Sequence, residues 1–263
     1  MKQIPQTELK TREIGKQIFY FDEIDSTNLE AKRHQDDEAC HGMVFVAEQQ
    51  KAGRGRLGRS WVSPKETGIW MSILLKPDFS PEIASQVTIL GALAAADAIR
   101  KVTKLDCQIK WPNDLVLNKK KVCGILTEMG VCDGRIQYLV SGIGINVNTE
   151  YFPDEIQDKA TSLRLEGGKV YAREDIIAEF LNSFELYYDD FCETCSLKNV
   201  LNYYNSILIS RGKKVKIVEK MKTDIGVALG IDELGRLKVR TEQGGERTIV
   251  SGEVSVRGLY SYV

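Results

Sequence analysis

Histidine is nearly absent: His34 and His41 are the only two, and neither stands beside a motif rich in glycine, lysine or arginine. Proline is also scarce, at 6 residues, while 43% of the chain is hydrophobic and 28% charged. That balance excludes a disordered or collagen-like chain and describes a packed globular one. Charge of one sign is missing too, because 36 Lys plus Arg face 37 Asp plus Glu for a net charge of -1. Such a chain has no global field to steer it onto nucleic acid or an anionic membrane, so any basic site must be local. No apolar run reaches the length of a membrane span; the longest candidate, Thr88 to Ile99, is alanine-rich and carries Gly91 and Asp97. The start, MKQIPQTELKTREIGKQIFYF, lacks the apolar core and small-residue cleavage site of a secretory signal, so a cytoplasmic protein is expected. Its six cysteines are then read as reduced thiols. Only Cys192 and Cys195 have metal or redox spacing, and without a second such pair or a nearby histidine they are read as incidental.

What is present divides into two parts. With 263 residues the chain can hold one large domain, or a medium one with an appendage. Short apolar or β-branched runs at Ile18 to Ile24, Met43 to Gln50, Ile69 to Lys76, Gln108 to Asn118, Val122 to Met129 and Ile136 to Asn148 read as strands. Ser80-Pro81-Glu82 has the form of an N-cap with Pro in the first helical position, followed by an alanine-rich helix to about Arg100. Ile177, Phe180, Leu181, Phe184, Tyr188 and Phe191 recur at three- and four-residue spacing, predicting a helix over Arg173 to Phe191. Capping-box spacing of Thr27 and Glu30 predicts a short helix near Thr27. Strands in clusters with few helices between them predict an α+β fold with a mixed, largely antiparallel sheet. After about Ser210 the alternation of Val215 and Ile217, then Val227, Leu229 and Ile231, predicts a small β-barrel of about five strands over 211–263, after a large domain over 1–210.

The densest chemical signal is Gly53-Arg54-Gly55-Arg56-Leu57-Gly58-Arg59-Ser60-Trp61, which directly follows a predicted strand. It has the letters of a dinucleotide fingerprint and nearly those of a Walker A loop, but no helix pattern follows and Arg59 stands where the latter needs Lys. What remains is physical. Glycines let the backbone approach a ligand, and Arg54, Arg56 and Arg59 offer planar charged forks for carboxylate or phosphate oxygens. Trp61 reads either as core or as a platform for a base. A solvated basic turn is the bland alternative, and the strong strands flanking the loop favour an anion-binding role.

Lys110-Trp111-Pro112-Asn113-Asp114 breaks a β-rich run with a residue that cannot donate to a ladder, so polar side chains are held at a corner. Lys119 and Lys120 read as a solvated hairpin tip. Lys121 borders an apolar strand carrying Gly124, and its ammonium is placed to meet developing negative charge on oxygen. Gly142 and Gly144 lie within another β-forming run, where either a ligand against the strand or close strand packing accounts for them.

Together these segments resemble the biotin protein ligases over most of the chain. Asp25-Ser-Thr-Asn28, Gly53-Arg-Gly-Arg56, Lys110-Trp-Pro-Asn-Asp114, Lys121-Val-Cys-Gly-Ile-Leu126, Gly142-Ile-Gly-Ile-Asn146 and Ala160-Thr-Ser-Leu163 follow one another in the family's order and spacing. The resemblance implies a catalytic domain like that of class II aminoacyl-tRNA synthetases with a C-terminal SH3-like barrel. It implies ATP and biotin as substrates, Mg²⁺ with the nucleotide, and a two-step reaction through biotinyl-5′-AMP to a lysine of a biotin carboxyl carrier domain. By the same resemblance Ser26, Thr27, Asn28, Gln50, Gly55, Gly124, Gly142 and Gly144 belong to the biotin site. Arg54, Arg56 and Lys121 meet the carboxylate and α-phosphate and are the catalytic candidates. Arg59, Trp61, Asn113, Asn146 and Arg257 serve the nucleotide. No acid–base histidine is called for, and no metal ligand from the chain.

Family members that repress transcription carry an N-terminal helix-turn-helix domain, and about 25 residues before Ser26 are too few for one, so a ligase without operator binding is expected. A homodimer is left open, and no membrane partner is expected. Two rivals stand beside this reading: a lipoate or octanoyl ligase or transferase of the same core fold, which would show a different lysine motif and no Gly53 to Arg56 loop, and a non-enzymatic nucleic-acid-binding protein, against which the near-neutral charge counts.

Overall fold

The structure is a computed structural model and describes residues 4, 8–37, 39–218, 223–251 and 255–258. Seven strands form one mixed sheet: β1 (Ile18–Phe21), β2 (Met43–Ala47), β3 (Gly68–Leu75), β4 (Gln108–Lys110), β5 (Asp114–Leu117), β6 (Lys120–Cys132) and β7 (Arg135–Asn146). Their order is β1-β2-β3-β7-β6-β5-β4, and every pairing is antiparallel except that of β1 with β2. The α+β expectation with a largely antiparallel sheet is met.

The two-residue period of the strands divides the sheet into two unlike faces. On one, Val44 and Val46, Ile69, Met71 and Ile73, Ile125, and Ile143 and Ile145 point into the main core. That face is covered by α2 (Val87–Thr103) and α4 (Arg173–Thr194), whose stripe of Phe180, Phe184, Tyr188 and Phe191 is buried as the spacing predicts. On the other, α1 (Thr27–Arg33) packs over β2, β3 and β7, where Phe45, Leu74 and Val140 join Ala31 and Met43 in a smaller core. Beyond it the positions are Trp70, Ser72, Gly124, Leu126, Glu128, Gly142 and Gly144. Apart from Trp70 and Leu126 that last group is small or polar, so this face is open beyond the part that α1 covers.

Several boundaries differ from the sequence reading. Ser80 does accept a hydrogen bond from the Glu82 amide, but Pro81–Gln86 winds as a 3-10 helix before α2 begins. Helix α1 starts at Thr27 without the predicted capping box: Ser26 is its N-cap, and the Thr27 hydroxyl turns away from the helix to side chains in the cleft. The run from Gln108 to Asn118 is two strands folded about the Trp111–Asn113 corner. Two short helices, α3 (Leu163–Gly167) and α5 (Lys198–Ile207), were not anticipated. The segment Pro81–Thr103 is long and apolar enough to cross a membrane by length and composition, but it is mostly buried within this fold.

Beyond α5 comes an all-antiparallel five-stranded sheet: β8 (Lys214–Val218), β9 (Thr223–Ile231), β10 (Leu237–Thr241), β11 (Glu246–Ile249) and β12 (Ser255–Gly258), ordered β11-β10-β9-β8-β12. Of the alternating residues Val227, Leu229 and Ile231 of β9, only Ile231 is buried. Gly226, Ala228 and Gly230 are buried, whereas Val227 and Leu229 are half-buried on the other side. The reason is room: a Cβ on Gly226 would lie 2.4 Å from Val239 Cγ1, and one on Gly230 would lie 2.6 Å from Asn205 Oδ1. This sheet is tied to the first by the buried Trp111, whose indole donates to the Gly235 carbonyl at 2.8 Å.

Candidate active site

The open face of the large sheet carries a cleft lined by Ser26, Thr27, Asn28, Gln50, Arg54, Gly55, Arg56, Trp61, Asn113, Lys121, Gly124, Gly142 and Gly144. Five segments far apart in sequence therefore converge, as the motif reading expected. Gly124 and Gly144 are direct cross-strand partners, and Gly142 lies two residues along on the same face. The Trp61 ring lies on the bare backbone they leave: a Cβ at Gly144 would come within 2.7 Å of its Cε2 and Nε1, and one at Gly124 within 2.9 Å of Cζ3. The Lys121 ammonium sits 5.0 Å from the Trp61 ring centroid. Close approach of a ring to backbone explains these glycines, and the Trp61 N–H is left buried without an acceptor among the described residues.

At one end, polar groups form a fixed array. Gln50 Oε1 accepts from the Thr27 amide at 2.9 Å, and its Nε2 donates to Ser63 Oγ at 2.9 Å. The buried Ser72 hydroxyl lies 2.6 Å from Asn28 Oδ1 and 2.7 Å from Thr27 Oγ1. Asn28 Nδ2 donates to Glu128 Oε2 at 2.8 Å, and Lys32 Nζ to Oε1 at 2.8 Å. Burial works to raise the Glu128 carboxyl, but those two hydrogen bonds and the charges of Lys32 and Arg54 outweigh it and hold the group below the usual carboxylate range.

At the other end, the corner after β4 holds two cations. Asn113 Oδ1 accepts from Arg56 Nη1 at 2.8 Å, and Asp114 Oδ1 is 2.6 Å from Lys121 Nζ. Asn113 is itself fixed by donating to the Ile125 carbonyl at 3.0 Å. Burial pulls Arg56 below the ordinary guanidinium value, and the nearby Asp114 charge opposes this; an arginine in such a place is still a cation. The loop turns Arg56 inward through a 3-10 turn at Arg56–Gly58 in which Leu57 takes φ 57°, exposing the Leu57 side chain.

Two expected residues, Arg59 and Asn146, stand apart from this cleft, and a third, Arg257, has no described side chain. Arg59 is exposed beyond the turn and does not line it. Asn146 is buried and donates to the Thr161 carbonyl at 3.1 Å, beside the segment that bridges to the Lys121 backbone. Arg257 lies on β12, and its side chain is outside the described residues. Conversely, Ser63, Ser72, Asp114, Lys32 and Glu128 hold the lining in place and were not singled out. Asp114 alone carried a usable signal, as the last residue of the corner motif.

Comparison with known proteins agrees with this geometry. Residues 19–146 match the biotin/lipoate A/B protein ligase family, and residues 212–257 match the biotin protein ligase C terminal domain. A bifunctional ligase/repressor BirA from Bacillus spizizenii is 38% identical over 238 residues, covering 90% of this chain and 73% of that protein. A biotin–[acetyl-CoA-carboxylase] ligase from Paracoccus denitrificans is 29% identical, covering 89% of this chain and 98% of that one. The solved biotin protein ligase of Aquifex aeolicus, in complex with biotin and ATP, superposes with a TM-score of 0.80 at 33% identity over 92% of this chain and 99% of that one. The chain belongs to the biotin protein ligases of the biotin/lipoate A/B protein ligase family.

Proposed function

We propose that the protein joins biotin to a lysine of a biotin carboxyl carrier domain in two steps, at the cleft just described. The observation that carries this is the convergence of Arg56 and Lys121, each held by a neighbouring residue of one corner, beside a glycine wall and the Ser26–Asn28 array. In the first step a biotin carboxylate oxygen bonds to the α-phosphorus of ATP while the bond to pyrophosphate breaks. Both reactants are anionic, so the chief work is to hold them together and offset their repulsion. Lys121 and Arg56 supply that charge, and Arg54 closes the same side. In the second step the carrier lysine's uncharged amine bonds to the acyl carbon, AMP leaves, and the amine gives up a proton.

Ser26, Thr27, Asn28 and Gln50 present donors and acceptors suited to the ureido ring, and Gly55, Gly124, Gly142 and Gly144 line the same pocket, with the Trp61 ring over Gly124 and Gly144 and the Asn28 oxygen over Gly142. Trp61, with its unpaired N–H, and Asn113 serve the adenosine side; Arg59, Asn146 and Arg257 keep outer nucleotide roles in this reading. Mg²⁺ enters with the nucleotide's phosphates, which supply oxygen ligands, and no residue of this chain is assigned to it. The working division is a catalytic domain over 1–210 and a C-terminal domain over 211–263, and a cytoplasmic carboxylase is the acceptor.

The test is ATP–pyrophosphate exchange with biotin or lipoate as the acid, followed by transfer to an isolated carrier domain. Exchange that depends on biotin supports the proposal. Exchange with lipoate alone would move the assignment to the rival activity, and none with either would overturn it.

A further inference from the structure

Glu128 poses a question that the proposed chemistry leaves unanswered: a site that gathers two anions keeps a carboxylate within reach of one of its own cations. Its side chain is 20% exposed, so the charge is largely out of water. One oxygen, Oε2, accepts from Asn28 Nδ2 at 2.8 Å. The other, Oε1, accepts from Lys32 Nζ at 2.8 Å and lies 3.8 Å from Arg54 Nη1. Among the described residues this is the one ion pair of Arg54, whose side chain is 47% exposed.

The two contacts do different things. A carboxylate can only accept, so it obliges the Asn28 amide to present its NH₂, while the Ser72 hydroxyl, 2.6 Å away on the opposite side, takes the amide oxygen. That oxygen sits over Gly142, where a Cβ would come within 2.0 Å of it. The orientation of Asn28 is therefore set from both sides, with Glu128 fixing one. Toward Arg54 the geometry is loose: 3.8 Å, no hydrogen bond, and a guanidinium mostly in solvent. A pair of that kind is weak and easily exchanged.

We propose that Glu128 is a positioning residue that links the polar end of the cleft to the arginine loop, fixing the Asn28 amide by a hydrogen bond and giving Arg54 a resting counter-charge that the phosphate of the incoming nucleotide displaces. The proposal rests on the ligase reading above. Lys32 takes part by competing with Arg54 for the same oxygen, so that Glu128 holds the arginine loosely enough to give it up.

Two substitutions with opposite expected effects test this in steady-state exchange. Glu128→Gln removes the charge that an entering phosphate must displace, so the KM for ATP falls by about threefold. The same change weakens the tie on Asn28, so kcat falls by about tenfold. Lys32→Met leaves Oε1 to Arg54 alone, so the KM for ATP rises by about threefold. A merely structural role would lower the unfolding midpoint and raise the KM in both variants. The proposal is overturned if Glu128→Gln leaves the KM for ATP unchanged or raises it, or if Lys32→Met lowers it. Wild-type exchange in the same assay keeps failure of this inference separate from failure of the ligase reading.

Discussion

Truncating Lys121 tests the central cation, and the structure dictates how the experiment must be built. Lys121 is 26% exposed and Asp114 15%, with 2.6 Å between their charged atoms. Lys121→Ala therefore deletes a charge from the site and also takes one partner from the Asp114 carboxylate. Losing a hydrogen bond to a charged group costs about 1.5–3 kcal/mol, toward the low end here because some water reaches both groups. Lys121→Ala with Asp114→Asn removes the charge that Lys121 balanced and should recover part of that stability. Chemistry should not recover: removing one positioned group that stabilises developing charge costs about 10²–10³ in kcat. If biotin is held chiefly at the Ser26–Gln50 end, as proposed above, and Lys121 acts most on charge that develops in the transition state, biotin affinity should move by less than about threefold. Urea unfolding and biotin-dependent pyrophosphate exchange read the two effects separately. An unchanged kcat with a biotin KM raised a hundredfold would assign Lys121 to ground-state binding and refute the reasoning.

Two further outcomes follow from the geometry. Gly144→Ala puts a methyl group against the Trp61 ring, which can swing outward because it lies at the end of a side chain. Stability should then change by less than about 1 kcal/mol, the usual scale of Gly-to-Ala effects, while Trp emission shifts to the red and the biotin KM rises about tenfold; an unaltered KM would show that the bare strand is not a ligand wall. Burial holds the His41 imidazole below its ordinary pKa, against the pull of Glu13, Asp189 and Glu185, and its Nδ1 accepts from the Lys76 amide. The unfolded chain then binds the proton more readily, so stability declines as pH falls through about 6.5 toward the folded-state pKa and levels off below it. Between pH 7.5 and 5.5 the urea midpoint of the wild type should drop further than that of His41→Gln, and equal drops would contradict this.

The site was legible in sequence where chemistry is compressed into a few adjacent residues. Glycine beside arginine, and proline between Trp111 and Asn113, mark a bend and a charge whatever the fold. What could not be read is direction. Arg56 and Arg59 look alike in sequence, and only the left-handed Leu57 between them sends one into the cleft and the other to solvent. Nor do Ser72 and Glu128 advertise themselves; they reach Asn28 across 44 and 100 positions of sequence. Helix α5 was missed because it is only ten residues long and no side-chain cap marks its start, so its apolar face comes down to Val200, Tyr204 and Ile207. On β9 the alternation of Val227 and Leu229 does not reveal the buried side, where crowding calls for Gly226 and Gly230 and only Ile231, at the strand's end, enters the core as a large residue.

The bond from Trp111 to the Gly235 carbonyl couples the small C-terminal sheet to the cleft by a route separate from the nucleotide role proposed for Arg257. The indole belongs to the same corner that braces both Arg56 and Lys121, and the carbonyl belongs to a turn whose glycine, at φ 74°, is wedged against Ile89 and Leu197. The appendage works as a buttress. Exchanging it for the equivalent module of a relative would preserve turnover only if the graft brought a carbonyl to that same spot, so the two parts of the chain are not free to diverge independently.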